Sequence, residues 1–151
     1  MNKKRQRHKI RAYSIASVSP KILEAVQKVQ NECFGNNDYF YKEGMLKHEL
    51  GLNDLNRLFV AYVGKEIAGY ILCVSQPQYQ RLRGDRLGIT RKFRRKGLAR
   101  ALVLRAMEYA TREDVSYTTY IAIENTASMR LHLNCGLQIV KSDKTFIYLR
   151  D

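Results

Sequence analysis

One stretch near the middle of the chain constrains its fold more than any other. The run from Arg91 to Lys96 has five cationic side chains in six residues, follows the apolar run Leu87-Gly88-Ile89, and precedes a helical pattern that begins at Gly97. This succession predicts a strand, a tight turn and then a helix. Because the first N–H groups of a helix lack intrahelical partners and the helix dipole places partial positive charge there, the turn is a candidate anion site.

The small residues of this turn favour a diphosphate as the anion. Gly97 has no Cβ to keep a bulky anion away from the backbone, and Ala99 keeps the second close position small. The motifs G-x-G-x-x-G and G-x-x-x-x-G-K-[ST] do not occur in the chain, so a Rossmann enzyme or a P-loop triphosphatase has no motif support. A solvated basic turn that caps a core helix is the alternative at this point.

The motif Arg94-x-x-Gly97-x-Ala99 resembles the R/Q-x-x-G-x-G/A signature of the GCN5-related N-acetyltransferases (GNAT), whose loop holds the pyrophosphate of acetyl-coenzyme A (acetyl-CoA). Downstream, Asn125-x-Ala127, a helix and then Gly136-Leu137 resemble a second segment of that family with small changes in spacing. The resemblance extends from about Asp85 to Val140 and is only architectural before that. It implies acetyl transfer from acetyl-CoA by direct attack of a neutral amine on the thioester in a ternary complex.

The resemblance also implies which residues hold the cofactor. Backbone N–H groups of Leu87 and Ile89 polarise the thioester carbonyl if, as in the family, their strand splays from the strand Tyr117 to Ile123. Asn125 matches the family asparagine that contacts the cofactor, and its position before a helix also makes it a good N-cap. The implied cofactor-binding residues are Leu87, Ile89, Arg94, Arg95, Lys96, Gly97, Leu98, Ala99 and Asn125.

Proton transfer is where the chain departs from the family pattern. The usual acid, a tyrosine four residues before the glycine of the G-F pair, is replaced by His132, counted back from Gly136. An imidazole with an unperturbed pKa of about 6.5 is partly protonated at neutral pH and can donate to a thiolate, so His132 is a candidate general acid. A half-buried helix histidine is the alternative. Asp85 and Glu66 are candidate general bases by strand position only, and an ordered water is the other option.

The charge of the chain bears on the acceptor. There are 27 Lys and Arg against 14 Asp and Glu, a net charge of +13, which predicts an acidic partner such as RNA or a ribosomal surface. The favoured acceptor is therefore a protein N-terminus, as on a ribosomal protein, or an aminoacyl-tRNA amine. A small-molecule amine attracted by Glu43, Glu49 and Asp54 is the alternative, and a non-catalytic nucleic-acid-binding module is the rival from another class.

The cysteines bear on compartment and metal content. Cys33, Cys73 and Cys135 are far apart and embedded in apolar patterns, which is typical of reduced thiols in a cytoplasmic protein. Their spacing from the three histidines does not fit a zinc site, so we expect no metal. The longest apolar run, 67–74, is too short to span a bilayer, and the basic N-terminus lacks a signal-peptide apolar region. We therefore expect a cytoplasmic protein without a membrane partner, either monomeric or a homodimer.

The length of 151 residues suits one domain with a full hydrophobic core. Residues 1–9 are predicted to be a basic, mobile arm and residues 10–151 a single acetyltransferase domain, with a first strand over 10–16 and a second helix over 39–50. The predicted order is β-α-α-β-β-β-α-β-α-β-β. This is a mixed α/β (α+β) domain with a mostly antiparallel central sheet flanked by helices, as in GNAT proteins.

Overall fold

A computed structural model describes residues 7–35 and 42–151 of the chain. Short 3-10 turns occupy Pro77–Tyr79 and Arg91–Phe93. The strands and helices, in chain order, are β1 His8–Tyr13, α1 Pro20–Phe34, α2 Met45–Leu50, β2 Arg57–Val63, β3 Glu66–Gln76, β4 Arg81–Ile89, α3 Leu98–Arg112, β5 Ser116–Ala122, α4 Thr126–Asn134, β6 Gln138–Ser142 and β7 Phe146–Arg150. This is the predicted order of elements.

Within the described residues the strands form one seven-stranded sheet in the order β1-β2-β3-β4-β5-β7-β6. All neighbouring pairs are antiparallel except β4 and β5, which are parallel and are connected through α3. Residues Gly64 and Lys65 connect β2 to β3 in the expected hairpin, and Gly64 has a φ of 60°. The predicted mixed, mostly antiparallel sheet flanked by helices is confirmed.

Helices cover both faces of the sheet. On one face, α3 packs Leu102, Val103 and Ala106 against the inner strands. On the other face, α1 and α2 bury a second cluster whose members are Val26, Val29, Leu46, Leu50, Leu58, Val60, Tyr70 and Leu72. The side chain of Ser19 caps α1 by accepting a hydrogen bond from the Ile22 N–H at 3.2 Å. Both clusters include residues of β2 and β3, so these two strands are packed from both sides.

Strand β4 contains a bulge and loses its second neighbour part-way along. Leu72 pairs with Arg86 and Cys73 with Gly84, so Asp85 is the extra residue of a β-bulge. On its other side, β4 pairs with β5 only from Arg81 to Arg83. Beyond that point the two strands diverge and leave the rest of β4 without a β5 partner.

Three predicted boundaries differ from the structure. β1 begins at His8, so residues 8 and 9 of the predicted arm pair with Val63 and Tyr62; residues 1–6 lie outside the described residues. β1 ends at Tyr13 because the Ser17 hydroxyl accepts from the Ser14 N–H at 2.8 Å and turns the chain. Of the described part of the predicted helix over 39–50, residues 42–50, only Met45–Leu50 is helical, since Gly44 has a φ of 85° that a helix excludes. Residues 39–41 lie outside the described residues.

Within residues 7–35 and 42–151, no helix is long and apolar enough to cross a membrane. In the same part of the chain, no three His, Cys, Asp or Glu side chains come together as a metal site. Cys73 and Cys135 are buried, Cys33 is partly exposed, and all three are free thiols.

Candidate active site

A cavity of about 870 Å³ opens where β4 and β5 diverge. Its walls come from β4, β5, the turn before α3, the start of α4 and the end of α1. At the point of divergence the Thr119 hydroxyl donates to the Gly84 carbonyl at 3.0 Å, which replaces the backbone ladder with a side-chain bridge. The splay that the family resemblance implied between β4 and β5 is therefore present, and it leaves backbone groups of β4 facing the opening.

The turn at the mouth of this cavity has the backbone geometry of an anion cradle. Gly97 precedes α3 with a φ of 80°, and Arg95, two residues earlier, also has a positive φ of 61°. Among the described residues, the first N–H of α3 to find a helical partner is that of Ala101, which donates to the Gly97 carbonyl at 3.1 Å. The amides just before it lack helical partners, and they are concentrated where the helix dipole is positive.

The turn is held in place by buried apolar side chains. Phe93 and Leu98, both nearly buried, pack with Val63 and Ala68 against the end of the β2–β3 hairpin. The cradle is therefore fixed before a ligand arrives.

The cations of the turn have different surroundings. The Arg94 guanidinium turns back to β4 and donates to the Ile89 carbonyl at 2.9 Å. Lys92 donates to Glu66 at 3.0 Å, and the Lys96 ammonium lies 5.6 Å from the centre of the Phe93 ring. Lys96 does not line the cavity, and its predicted place in the cofactor site stays a prediction. The other implied cofactor residues, Leu87, Ile89, Arg94, Arg95, Gly97, Leu98, Ala99 and Asn125, all line it.

Asn125 acts as the predicted helix cap. Its side-chain oxygen accepts from the Ser128 N–H at 3.2 Å, and the residue also lines the cavity. Capping fixes Asn125 at the end of β5 where the family resemblance implies a cofactor contact, and that contact stays a prediction.

His132 lines the cavity from α4 and is 4% exposed. Its Nδ1 donates to the Ser128 carbonyl at 2.7 Å, because a carbonyl oxygen can only accept. The neutral ring therefore keeps its lone pair on Nε2. Burial lowers the pKa of His132 below its ordinary value, which the hydrogen bond to Ser128 opposes more weakly. The lowered pKa favours the uncharged form with an acceptor at Nε2 at neutral pH, and the role of His132 as a general acid stays a prediction.

The two candidate bases have different positions. Asp85 lines the cavity, but its oxygens accept from Arg83 at 2.9 Å and from Arg86 at 3.1 Å. Glu66 is bound to Lys92 on the outer surface and does not line the cavity, so it is wrong as a candidate base.

Arg86 is the main site residue that sequence reasoning missed. Its side chain is 4% exposed and bonds to carboxylates of Asp85 and Glu49 and to the Gln30 amide oxygen. Tyr70 donates to the same Gln30 oxygen at 2.9 Å, so one polar network ties α1, α2 and β3 to the bulge of β4. The available signal was the adjacent charged pair Asp85-Arg86 within a predicted strand.

A family model described as the acetyltransferase (GNAT) family matches residues 23–137 of the chain, well over half its length. The chain belongs to the GNAT family. No curated protein sequence matches it significantly.

Solved GNAT structures share its fold over nearly their whole length. The PaiA N-acetyltransferase of Thermoplasma acidophilum, in complex with coenzyme A, is 15% identical with a TM-score of 0.75, covering 96% of this chain and 98% of that one. The spermidine/spermine N-acetyltransferase of Vibrio cholerae, in mutant forms, is 17% identical with a TM-score of 0.71 and coverages of 95% and 92%. The ribosomal-protein-S18-alanine N-acetyltransferase of Escherichia coli is 11% identical, with a TM-score of 0.71 and coverages of 94% and 92%. Identities this low show the fold alone.

The residues of this GNAT chain fit a coenzyme A thioester. The N–H groups before Ala101 offer donors for a pyrophosphate, Gly97 and Ala99 leave the backbone accessible, and the opening between β4 and β5 has unpaired strand edges for an amide-bearing arm.

Proposed function

We propose that this GNAT protein is an acetyl-CoA-dependent N-acetyltransferase of the cytoplasm. The observation that carries the proposal is the continuity of two features: the opening between β4 and β5 runs into the anion cradle before α3. One extended ligand with a diphosphate at one end and an acyl group at the other matches this arrangement.

Acetyl-CoA supplies an activated acyl group as a thioester. The amides from Arg95 to Ala99 bind its pyrophosphate, and the backbone N–H groups of Leu87 and Ile89 orient its carbonyl. A neutral amine then attacks the carbonyl carbon, so that a C–N bond forms and the C–S bond breaks. The amine loses one proton and the departing thiolate gains one.

His132 is the proposed carrier of that proton. Because its ring is neutral, it first accepts a proton released by the amine at Nε2 and then donates it to the thiolate. Asp85 stays the candidate base for an earlier step, in which the ammonium form of the acceptor loses a proton, directly or through water, and becomes the neutral amine.

A macromolecular acceptor is the better match to the charges of the site. Asp85 is the only carboxylate residue among the described residues that line the cavity, and both of its oxygens bind arginines. Glu49, which was expected to attract an amine, is bound to Arg86. The cavity thus offers a polycationic amine little attraction, and the net charge of +13 repels it on approach.

We therefore propose a protein N-terminus presented on a ribosomal surface, or an aminoacyl-tRNA amine, as the acceptor, with RNA contact through the basic surface. A small-molecule amine is the alternative. Family membership does not decide between them, because one structural neighbour is named for spermidine and spermine and another for ribosomal protein S18.

The test is an acceptor screen that measures release of free coenzyme A thiol from acetyl-CoA. The acceptors are N-terminal peptides of ribosomal proteins, aminoacyl-tRNA and spermidine, and a Gly97→Glu variant serves as the inactive control. We expect the highest kcat/KM with a peptide or tRNA acceptor. Turnover of spermidine alone would favour the small-amine alternative, and no thiol release with any amine would contradict the enzymatic proposal.

Two further measurements separate the enzyme from a nucleic-acid-binding module. Acetyl-CoA at micromolar concentration should raise the melting temperature at ordinary ionic strength, whereas RNA should do so only at low salt. For a polyanionic acceptor, kcat/KM should fall steeply as salt rises. A flat salt dependence would count against that acceptor class.

A further inference from the structure

The deep end of the cavity, where β4 and β5 come together, contains a buried hydroxyl without a partner. Ile71, Gly84, Tyr117 and Thr119 line this deep end. Tyr117 is 0% exposed, and among the described residues its hydroxyl has no hydrogen-bond partner. A buried hydroxyl left unpaired costs about 1–3 kcal/mol, so its presence calls for an explanation.

The position of this hydroxyl depends on a glycine of β4. A Cβ added to Gly84 would lie 2.0 Å from the Tyr117 oxygen and 2.9 Å from its ring carbon Cζ. The hydroxyl therefore occupies the space that any other residue at position 84 would fill. It lies against β4 immediately before the bulge at Asp85, next to the strand edge that β5 leaves unpaired.

The second hydroxyl at the deep end is already engaged. Thr119 donates its proton to the Gly84 carbonyl at 3.0 Å. Of these two hydroxyls, only that of Tyr117 has no partner among the described residues and can donate to a ligand. Burial also raises the pKa of Tyr117 well above its ordinary value, so the phenol keeps its proton throughout the working pH range.

We propose that the Tyr117 hydroxyl donates a hydrogen bond to the carbonyl oxygen of the acyl group and stabilises the oxyanion that forms on it. This inference rests on the proposed function, because the acyl end of the cofactor reaches the deep end only if its pyrophosphate binds at the Gly97 end. A carbonyl oxygen is a strong acceptor and a thioester sulfur a weak one, which decides the atom. The bond strengthens as negative charge develops in a site that excludes water.

The experiment compares Tyr117→Phe with a matched control, Tyr109→Phe. Tyr109 donates to the Leu55 carbonyl at 2.9 Å and does not line the cavity. Removing the Tyr117 hydroxyl should leave the melting temperature equal or higher, because an unpaired buried group is lost. Removing the Tyr109 hydroxyl should lower it, because a made hydrogen bond is lost. Melting curves also show that both variants are folded.

Calorimetry measures the affinities for free coenzyme A and for acetyl-CoA, and neither measurement needs an acceptor. In Tyr117→Phe we expect acetyl-CoA to bind about 3- to 10-fold more weakly and free coenzyme A to bind as in the parent. Infrared spectra of acetyl-CoA labelled with ¹³C at the carbonyl should show the stretching band at higher frequency in Tyr117→Phe than in the parent. The control should match the parent in both measurements. With an active acceptor, kcat should fall by roughly tenfold or more in Tyr117→Phe only.

Equal acetyl-CoA affinity and an equal carbonyl frequency in the parent and in Tyr117→Phe would overturn this inference and leave the proposed function intact. Failure of the parent to bind either form of the coenzyme would overturn the proposed function, and this inference with it.

Discussion

The Thr119 hydroxyl donates to the Gly84 carbonyl at 3.0 Å at the place where β4 and β5 cease to pair. This bond closes the base of the cofactor cavity. Thr119→Val should lower the free energy of unfolding by about 1 kcal/mol, because the Gly84 carbonyl loses its hydrogen-bond partner. It should also weaken coenzyme binding, because the edges of β4 and β5 are no longer held at a fixed separation.

Thr118→Val is the matched control for this change. The Thr118 hydroxyl donates to the Leu149 carbonyl at 2.9 Å, and Thr118 does not line the cavity. Urea unfolding should show similar losses in both variants, while calorimetry should show weaker coenzyme binding in Thr119→Val only. Equal coenzyme affinity in the two variants would contradict this role of Thr119.

Gly97→Glu should abolish coenzyme binding, with at least a ~100-fold loss of affinity, because a carboxylate would stand at the anion cradle where the helix dipole favours the pyrophosphate. The positive φ of 80° also adds about 1–2 kcal/mol of backbone strain for any residue with a Cβ. Gly64→Glu separates the two effects, since Gly64 has a φ of 60° in the β2–β3 turn and does not line the cavity. Both variants should lose similar stability in melting experiments, and calorimetry should show normal coenzyme affinity for Gly64→Glu.

Arg86→Met should destabilise the protein by about 3–5 kcal/mol, because it leaves the carboxylates of Glu49 and Asp85 near the interior without their shared cation. A second substitution, Glu49→Gln, should restore part of this loss. Lys92→Met is the control for an exposed ion pair, since Lys92 is 67% and Glu66 59% exposed, and it should change stability by less than ~0.5 kcal/mol. Urea unfolding of the parent, the two single variants and the double variant gives the coupling energy between Arg86 and Glu49. If the losses of stability in the two single variants add up to the loss in the double variant, the two side chains do not stabilise the protein as one network.

His132 should make stability depend on pH. Burial lowers its pKa in the folded state relative to the ordinary value of about 6.5 in the unfolded chain. The unfolded state therefore binds more protons between those two values, so stability should fall as pH drops below about 6.5 and level off below the folded pKa. In His132→Gln this decrease should be smaller. Unfolding curves at pH 7.5 and 5.0 test this, and the same decrease in both proteins would assign it to other groups.

The pH dependence of kcat should show which proton step His132 performs. A neutral ring that must first accept a proton loses activity as pH falls through its lowered pKa, whereas an acid that starts protonated would lose activity as pH rises. We expect the low-pH limb. His132→Ala should lower kcat by roughly 10²-fold near neutral pH and remove that limb, with coenzyme affinity unchanged. If His132→Ala has the same kcat and pH profile as the parent, His132 takes no part in proton transfer.

The sequence by itself determined the parts of the protein that are local along the chain. The basic turn, Gly97 and the helical pattern after it predict the anion cradle, because the free amides of a helix start depend on a few neighbouring residues. Runs rich in β-branched and aromatic residues predicted the strands and their order along the chain. The cap at Asn125 was predictable for the same reason.

Only the tertiary structure decided the chemistry of the side chains that meet across elements. Arg86 reaches Glu49 from 37 positions away, and Tyr117 reaches the space above Gly84 from a different strand. Folding buried the His132 ring and placed its Nδ1 against a carbonyl, and burial lowers the pKa of the ring, which favours its neutral form. Burial and long-range pairing set protonation and charge, and neither is encoded in the spacing of residues along the chain.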